Sequence, residues 1–172
     1  MDANLPKETL RTVMSLAKTA KIPVCADPTS TTLAGKLKPY LKKLTLVTPN
    51  SAEAAILTDG AYNTTRRREA LQAAKHLVSH GVGIVIVAMA AFGVCYATSE
   101  TSGYIPAIRT EIVDPTGAGD AMTATVLFAL LNDIELDDAV RLGVSAASLT
   151  LRHRGAVVPH LSLEELYNQL VI

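Results

Sequence analysis

The segment "VDPTGAGDAMTATVLFALL", Val113–Leu131, decides how this sequence is interpreted. It places Gly117, Ala118 and Gly119 at the start of a strong amphipathic helix pattern, with Asp120 directly after them. Glycine inside a helix costs about 1 kcal/mol relative to alanine, so two glycines in three positions need a reason other than helix stability. The question is what chemistry such a helix start supports.

A helix N-terminus presents unpaired backbone N–H groups and a partial positive charge, and glycines let a phosphate approach that backbone closely. Gly117, Ala118 and Gly119 therefore predict an anion hole. Asp120, in the first turn, would accept the proton of an attacking hydroxyl. Phosphoryl transfer needs both features. The alternative, a glycine loop followed by an aspartate that only complements the helix dipole, is equally compatible with so short a pattern.

The amino-acid composition limits which classes of partner and which cellular compartment we expect. The 172 residues are 49% hydrophobic, which suffices for one domain with a sizeable core. Sixteen basic and sixteen acidic residues cancel, so we expect no nucleic-acid partner. Cys25 and Cys95 lie in apolar segments without metal-ligand spacing, and the N-terminal sequence does not resemble a signal peptide. These features predict a cytoplasmic protein.

One uncharged segment, Gly81–Ser99, is nearly long enough to cross a membrane. Gly83 and Gly93 interrupt it, and it is rich in β-branched residues. We therefore predict two buried strands, Ile84–Ala88 and Gly93–Ala97, joined by a tight turn, and no membrane partner. A transmembrane helix is the alternative.

Helix and strand patterns alternate along the chain, which predicts an α/β fold with a mostly parallel sheet and helices on both faces. Ligands of such sheets bind beyond the carboxyl ends of the strands, where polar stretches occur at Asp27, Asn50 and Asp114. The predicted helices are Leu5–Ala20, Ser51–Thr58, Arg66–His80, Gly117–Leu131, Leu136–Leu151 and Ser162–Leu170. Other predicted strands are "IPVCAD", "LTLVTPN" and the extended piece "SGYIPAIRTEIV".

The stretch "DPTGAGDAMTA" resembles the C-terminal signature of the ribokinase-like (pfkB-type) sugar and nucleoside kinases. The resemblance implies a three-layer αβα fold, with Asp120 as catalytic base and the two glycines and alanine before it as the anion hole. A second stretch, "TPNSAEAAIL", is similar to the family's Asn-x-x-Glu element. It implies that Asn50 and Glu53 organise Mg²⁺, water and the nucleotide phosphates.

Further likenesses extend the implied ATP site. "AASLTLRHRGAVVP" resembles the family's Ala-rich helix and Gly-Ala turn, which implies that Ala147 and Gly155 line the adenine pocket; ordinary helix packing explains the alanine equally well. Asp114 and Thr116 occupy positions that bind a monovalent cation such as K⁺ in many members. Gly93 corresponds to the second glycine of a Gly-x-x-Gly turn near the nucleotide. Two departures stand where the family usually has glycine, namely Ala90 and Thr125.

Members of the family are longer, and the resemblance covers their C-terminal part. The N-terminal Gly-Gly motif and the β lid of the family have no counterpart here. We therefore expect a single α/β domain over residues 1–172, forming the C-terminal portion of a larger kinase. An unpaired sheet edge would favour a homodimer.

Two functions follow from the resemblance. The first is ATP-dependent phosphorylation of a sugar or nucleoside hydroxyl. The run "IPVCADPTSTTLAGKLKPYLKKL" is similar to pseudouridine kinases, which suggests the 5′-hydroxyl of pseudouridine as acceptor. The alternative is a catalytically inactive fragment that serves only as a nucleotide-binding or interaction domain, because an anion hole without an acceptor site cannot orient the reaction.

Overall fold

The computed structural model describes residues 1–170, which form two compact units. The first unit contains Met1–Ala90 and Val94–Tyr104, and the second contains Ala91–Gly93 and the chain from Ile105 onward. A single domain over residues 1–172 stays a prediction. The strands lie in the first unit, except that the last residue of the fifth strand begins the second.

The first unit contains a five-stranded sheet whose spatial order follows the chain order. Strand β1 pairs with β2 and β2 with β3 in parallel, whereas β3 and β4 are antiparallel. The sheet is therefore mostly parallel, as predicted. The strands are β1 Cys25–Ala26, β2 Leu46–Val47, β3 Ile84–Ala88, β4 Val94–Ala97 and β5 Ser102–Ile105.

The uncharged central segment forms two strands, as the sequence predicts. Strands β3 and β4 are joined by a 3₁₀ turn at Ala90–Phe92, and nearly all their side chains are buried. No helix within residues 1–170 is both long enough and apolar enough to span a bilayer. Burial on both faces of the sheet explains why this segment is continuously apolar.

The first two strands are shorter than the predicted runs. Single bridges extend them, pairing Asp2 with Asp27 and Asn50 with Ala88. Backbone bonds of 2.9 Å join Ala3 N–H to the Asp27 carbonyl and Asp27 N–H to the Met1 carbonyl. The polar side chains predicted beyond β1 and β2 therefore begin where regular pairing ends.

Four α-helices accompany this sheet in the first unit. They are α1 Lys7–Ala20, α2 Thr31–Ala34, α3 Ser51–Leu57 and α4 Arg67–Ser79. A nine-residue 3₁₀ helix, Gly35–Lys43, follows α2 and contains Pro39. Proline has no amide hydrogen and clashes with the preceding turn of an α-helix, which accounts for the irregular helix here. Leu37 is nevertheless fully buried.

Three helices form most of the second unit: α5 Ala118–Leu131, α6 Leu136–Leu151 and α7 Leu163–Leu170. Helices α5 and α6 approach closely at Gly143, where an added Cβ would lie 2.7 Å from a methyl group of Val126. The amphipathic pattern expected for α5 is wrong. This helix is apolar around its circumference, and Leu131 is 83% exposed at its end.

Helix α7 begins with the predicted capping box. Glu165 N–H donates to Ser162 Oγ at 3.2 Å, and Ser162 N–H donates to Glu165 Oε2 at 3.1 Å. The buried Ser145 hydroxyl of α6 donates to the Leu166 carbonyl at 2.8 Å, which fastens α7 to α6. Reciprocal capping of this kind satisfies two donors that a short helix would otherwise leave free.

Candidate active site

Gly117 is the N-cap of α5, and its conformation requires glycine. Its φ is 81°, in the left-handed region, and a Cβ there would lie 2.2 Å from the Ala156 carbonyl oxygen. No other residue avoids both the strain and the clash. The glycine therefore allows the chain at 155–156 to pack against the start of α5. Sequence analysis did not single out Ala156, although the quoted Gly-Ala turn contains it.

Asp114 joins the two ends of this loop. Its Oδ1 accepts the Thr116 N–H at 2.9 Å and its Oδ2 accepts the Gly155 N–H at 3.1 Å. Hydrogen bonds from the Thr116 side chain, the Thr116 backbone and the Gly155 backbone lower the pKa of the Asp114 carboxyl. The structure thus brings three predicted residues together, and each carboxylate oxygen keeps a lone pair that a monovalent cation could use.

The first turn of α5 leaves donors available. The helix has no side-chain cap, and among residues 1–170 the N–H groups of Gly119 and Asp120 have no hydrogen-bond acceptor. An added Cβ at Gly119 would meet nothing within 4 Å, and the side chain of Asp120 is exposed. Free N–H groups, open space and a carboxylate therefore occur within two consecutive residues, as the anion-hole hypothesis requires.

Asn50 and Glu53 form a capping box at the start of α3. Asn50 Oδ1 accepts the Glu53 N–H at 3.0 Å, and Glu53 Oε2 accepts the Asn50 N–H at 2.9 Å. The Asn-x-x-Glu element therefore has a structural role whether or not it binds metal. The bond to Asn50 engages only one oxygen of the Glu53 carboxyl.

Glu53 is unusual among the carboxylates because it is only 5% exposed. Burial raises the pKa of its carboxyl, the hydrogen bond from Asn50 opposes the rise, and the charge of Asp27 adds to it. A buried carboxylate near a second carboxylate is a favourable neighbour for a hard cation such as Mg²⁺, which prefers oxygen ligands and keeps several waters. No group of three or more His, Cys, Asp or Glu within residues 1–170 is placed to hold a metal by itself.

The turn predicted to lie near the nucleotide begins at Ala90 and ends at Gly93, and both residues have a positive φ, which suits glycine. Gly93 has a φ of 84°, and a Cβ there would lie 2.2 Å from the Ile105 carbonyl oxygen. Ala90 has a φ of 49° although it is not glycine. Alanine in place of the family's glycine therefore adopts the left-handed backbone conformation of the turn, and its Cβ makes that conformation strained.

The remaining predicted residues lie on helices of the second unit or in the loop after α6. Ala147 is partly exposed on α6, and Gly155 is exposed with a φ of 91°. Thr125, the second departure from the family pattern, is 7% exposed on α5. A threonine is therefore accommodated inside the packed second unit where the family has glycine.

These features define an α/β protein in which the first turn of α5 leaves two backbone N–H groups without an acceptor among residues 1–170. The model of the pfkB family of carbohydrate kinases matches residues 1–162, and the chain belongs to this family. It is 29% identical to the pseudouridine kinase of Escherichia coli (strain K12) over 163 residues, which is 94% of this chain and 51% of that protein. The chain spans about half the length of the curated relatives it matches.

Solved structures confirm the ribokinase-like fold. Arabidopsis thaliana ribokinase complexed with ribose and ATP superposes with a TM-score of 0.84 at 24% identity, covering 99% of this chain and 55% of that one. Phosphofructokinase-2 from Escherichia coli in complex with potassium gives a TM-score of 0.82 at 22% identity, covering 97% and 52%. The roles of the individual site residues stay predictions.

Proposed function

We propose that this chain carries the ATP site, anion hole and catalytic base of a phosphotransferase that acts on a hydroxyl of a sugar or nucleoside. The observation that carries the proposal is the start of α5, where the N–H groups of Gly119 and Asp120, which have no acceptor among residues 1–170, lie beside the exposed Asp120 carboxylate. Family membership supports the same reaction class.

In the proposed reaction, Asp120 accepts the proton of the acceptor hydroxyl as its oxygen attacks the γ-phosphorus of ATP. A phosphorus–oxygen bond to the acceptor forms, the bond to the bridging oxygen breaks, and ADP leaves with that electron pair. The N–H groups at the start of α5 stabilise the negative charge that develops on the transferring phosphoryl group. Gly119 contributes by leaving room for that group to approach the backbone.

Cations complete the proposed site. Mg²⁺ would neutralise the nucleotide phosphates, and Glu53, with Asn50 holding its carboxyl, is the proposed partner of that ion, directly or through water. A monovalent cation would bind at Asp114 and Thr116, whose loop leads into the anion hole. The potassium complex of the related phosphofructokinase-2 supports this assignment.

The adenine end of the nucleotide is assigned to Ala147, Gly155 and Gly93. Ala147 and Gly155 leave small, partly exposed surfaces on α6 and its following loop. ATP is bound in the related Arabidopsis thaliana ribokinase, which supports ATP as the phosphoryl donor.

Pseudouridine is the proposed acceptor, through its 5′-hydroxyl. The likeness to the Escherichia coli pseudouridine kinase over 94% of this chain supports it. Phosphorus NMR with Mg·ATP and a panel of pseudouridine, uridine, adenosine, ribose and fructose tests the choice. Phosphorylation of pseudouridine alone is expected. Transfer to a different acceptor would overturn the substrate, and ATP binding without any transfer would favour the alternative, an inactive nucleotide-binding domain.

The Asp120→Asn variant tests the catalytic base. Loss of a general base lowers turnover by roughly 10²–10⁴-fold, and ATP binding should change little because the backbone donors remain. Steady-state kinetics and ATP titration measure the two effects. The matched control is Asp138→Asn, which removes an exposed carboxylate from the first turn of α6 and should leave turnover unchanged. Equal turnover in the two variants would refute the role of Asp120.

A further inference from the structure

Helix α4 of the first unit ends with two histidines that the proposed reaction does not use. His76 lies in the last turn of the helix, and His80 is its C-terminal cap. Residues four positions apart are neighbours on one face of a helix. The two rings lie 4.1 Å apart, measured between centroids, and their planes differ by 33°. The fold therefore holds two imidazoles side by side.

The histidine pair is separate from the other functional residues proposed in the first unit. His80 directly follows α4 and precedes Ile84, the first residue of β3, by four positions. Asn50 pairs instead with Ala88, the last residue of β3. Because a strand advances about 3.3 Å per residue, the length of β3 separates the two places. The histidines are therefore not part of the site proposed at Asn50 and Glu53.

One nitrogen of each ring is hydrogen-bonded, and the other is free. His80 Nδ1 lies 2.8 Å from the His76 carbonyl oxygen. A carbonyl only accepts, so Nδ1 carries the hydrogen and Nε2 of the neutral ring presents a lone pair. His76 Nδ1 lies 3.3 Å from the Tyr62 hydroxyl, which can accept a hydrogen bond from it and leave Nε2 in the same state. Neither Nε2 atom has a hydrogen-bond partner within residues 1–170.

The surroundings of the pair suit a cation. Burial and the charge of His80 lower the pKa of His76, while the charge of Asp59 opposes this shift. The neutral imidazole is the form that binds metal ions. Asp59 also brings a negative charge near the rings, and its carboxylate accepts a hydrogen bond from Lys38. His80 is exposed and His76 is partly exposed, so an ion in solution can reach both.

From the adjacent rings, the bonded Nδ1 atoms and the free Nε2 atoms, we infer that His76 and His80 chelate a transition-metal dication that prefers imidazole, such as Zn²⁺, Cu²⁺ or Ni²⁺. A hydrogen bond on the second ring nitrogen is the usual way in which proteins orient a metal-binding histidine. The two Nε2 atoms supply two ligands and water supplies the others, because no group of three or more His, Cys, Asp or Glu within residues 1–170 is placed to hold a metal. The ion joins the last turn of α4 to its cap.

The ring ¹⁵N resonances of the four histidines of the ¹⁵N-labelled chain test the inference. Zn²⁺ is the probe, and Mg²⁺ is the control ion because it prefers oxygen ligands. We expect an equimolar amount of Zn²⁺ to shift Nε2 of both His76 and His80 and to leave His153 and His160 unchanged, and Mg²⁺ to shift none of them. A shift at only one member of the pair, at neither member, or equally at all four histidines would overturn the proposal.

Two variants and one control test whether the histidines bind the ion together. His76→Gln and His80→Gln should each weaken Zn²⁺ binding at least about 10-fold, because the remaining imidazole loses its chelating partner. Isothermal titration calorimetry measures the affinities. His160→Gln removes an exposed histidine from the loop before α7, so its affinity for Zn²⁺ should equal that of the unmodified chain. Equal affinities in all three variants would refute the chelate, and the dispersed amide spectrum of each variant confirms its fold.

Discussion

At the residue scale, Gly117 and Gly119 have different reasons to be glycine. Gly117 has a positive φ and abuts the Ala156 carbonyl, whereas Gly119 lies within α5 and faces open space. The first is therefore required by the fold, whereas no contact within residues 1–170 requires glycine at position 119. The open space at Gly119 is compatible with the proposed approach of a phosphate to this backbone.

This difference predicts opposite effects of two alanine substitutions. Gly117→Ala should lower the free energy of unfolding by about 1–3 kcal/mol, because it adds a strained φ and a clash. Gly119→Ala should leave stability unchanged or raise it by up to about 1 kcal/mol. If the anion hole works as proposed, Gly119→Ala still lowers turnover by roughly 10–100-fold, because the added methyl group blocks the phosphoryl group.

Urea unfolding and steady-state kinetics measure both effects on the same preparations. A Gly119→Ala variant with normal turnover would argue against the anion hole at this position. A stable Gly117→Ala variant would contradict the conformational requirement.

Sequence reasoning located these glycines but not what surrounds them. The motif predicted where α5 starts and that Gly117, Ala118 and Gly119 precede Asp120 there. The contact of Gly117 with Ala156 and the bond from Gly155 to Asp114 join positions about forty residues apart, and nothing in a local pattern signals such contacts. Ala90 was identified from sequence alone, because the family usually has glycine at this position. Its positive φ in the structure gives the physical reason for that glycine.

At the scale of elements, length and periodicity decided which predictions were accurate. Helix α6 spans Leu136–Leu151 and β3 spans Ile84–Ala88, as predicted from long or continuously apolar patterns. The extended piece predicted over residues 102–113 is a strand only as far as Ile105, because Pro106 has no N–H group for a ladder bond. Pairing with neighbouring strands sets the ends of β1 and β2, so a local sequence pattern does not predict how short they are.

The capping box of α3 supports a prediction that separates stability from metal binding. Asn50→Ala should lower the free energy of unfolding by about 0.5–2 kcal/mol, because it removes the N-cap. Asn168→Ala, on the exposed part of α7, is the control and should not destabilise. Glu53→Gln keeps an acceptor for the Asn50 N–H, so it should retain the cap but raise the Mg²⁺ concentration needed for half-maximal turnover. An unchanged Mg²⁺ titration would remove Glu53 from the proposed site.

The same residue gives a pH dependence with a definite sign. Because burial raises the pKa of the folded Glu53 carboxyl, the folded state takes up this proton at a higher pH than the unfolded state does. Its contribution to stability therefore increases as pH falls through the folded pKa, and levels off below the unfolded value near 4.3. Urea unfolding at neutral and mildly acidic pH should show that acidification raises the free energy of unfolding of the unmodified chain relative to that of Glu53→Gln. A fall in this relative free energy on acidification would contradict the burial argument.

At the scale of the whole molecule, residues with proposed roles are found in both compact units. Asn50 and Glu53 belong to the first unit, whereas Asp114, Thr116 and the start of α5 with Asp120 belong to the second. Family membership and fold follow from features spread over nearly the whole chain. Among the proposed roles, only that of Asp120 involves the acceptor, and a general base contacts the reacting hydroxyl that all the candidate acceptors share.

Nucleotide binding predicts a stability change that does not depend on the acceptor. A ligand that binds only the folded state at one hundred times its Kd stabilises by about 2.7 kcal/mol, which corresponds to roughly 5–10 °C in Tm for a chain of this size. We expect Mg·ATP to produce such a shift and EDTA to diminish it, as followed by circular dichroism during heating. Asp120→Asn should keep the shift because the backbone donors remain, whereas Gly119→Ala should lose most of it. Retention of the full shift in Gly119→Ala would place the nucleotide away from the start of α5, and its loss in Asp120→Asn would make that carboxylate a binding group rather than a base.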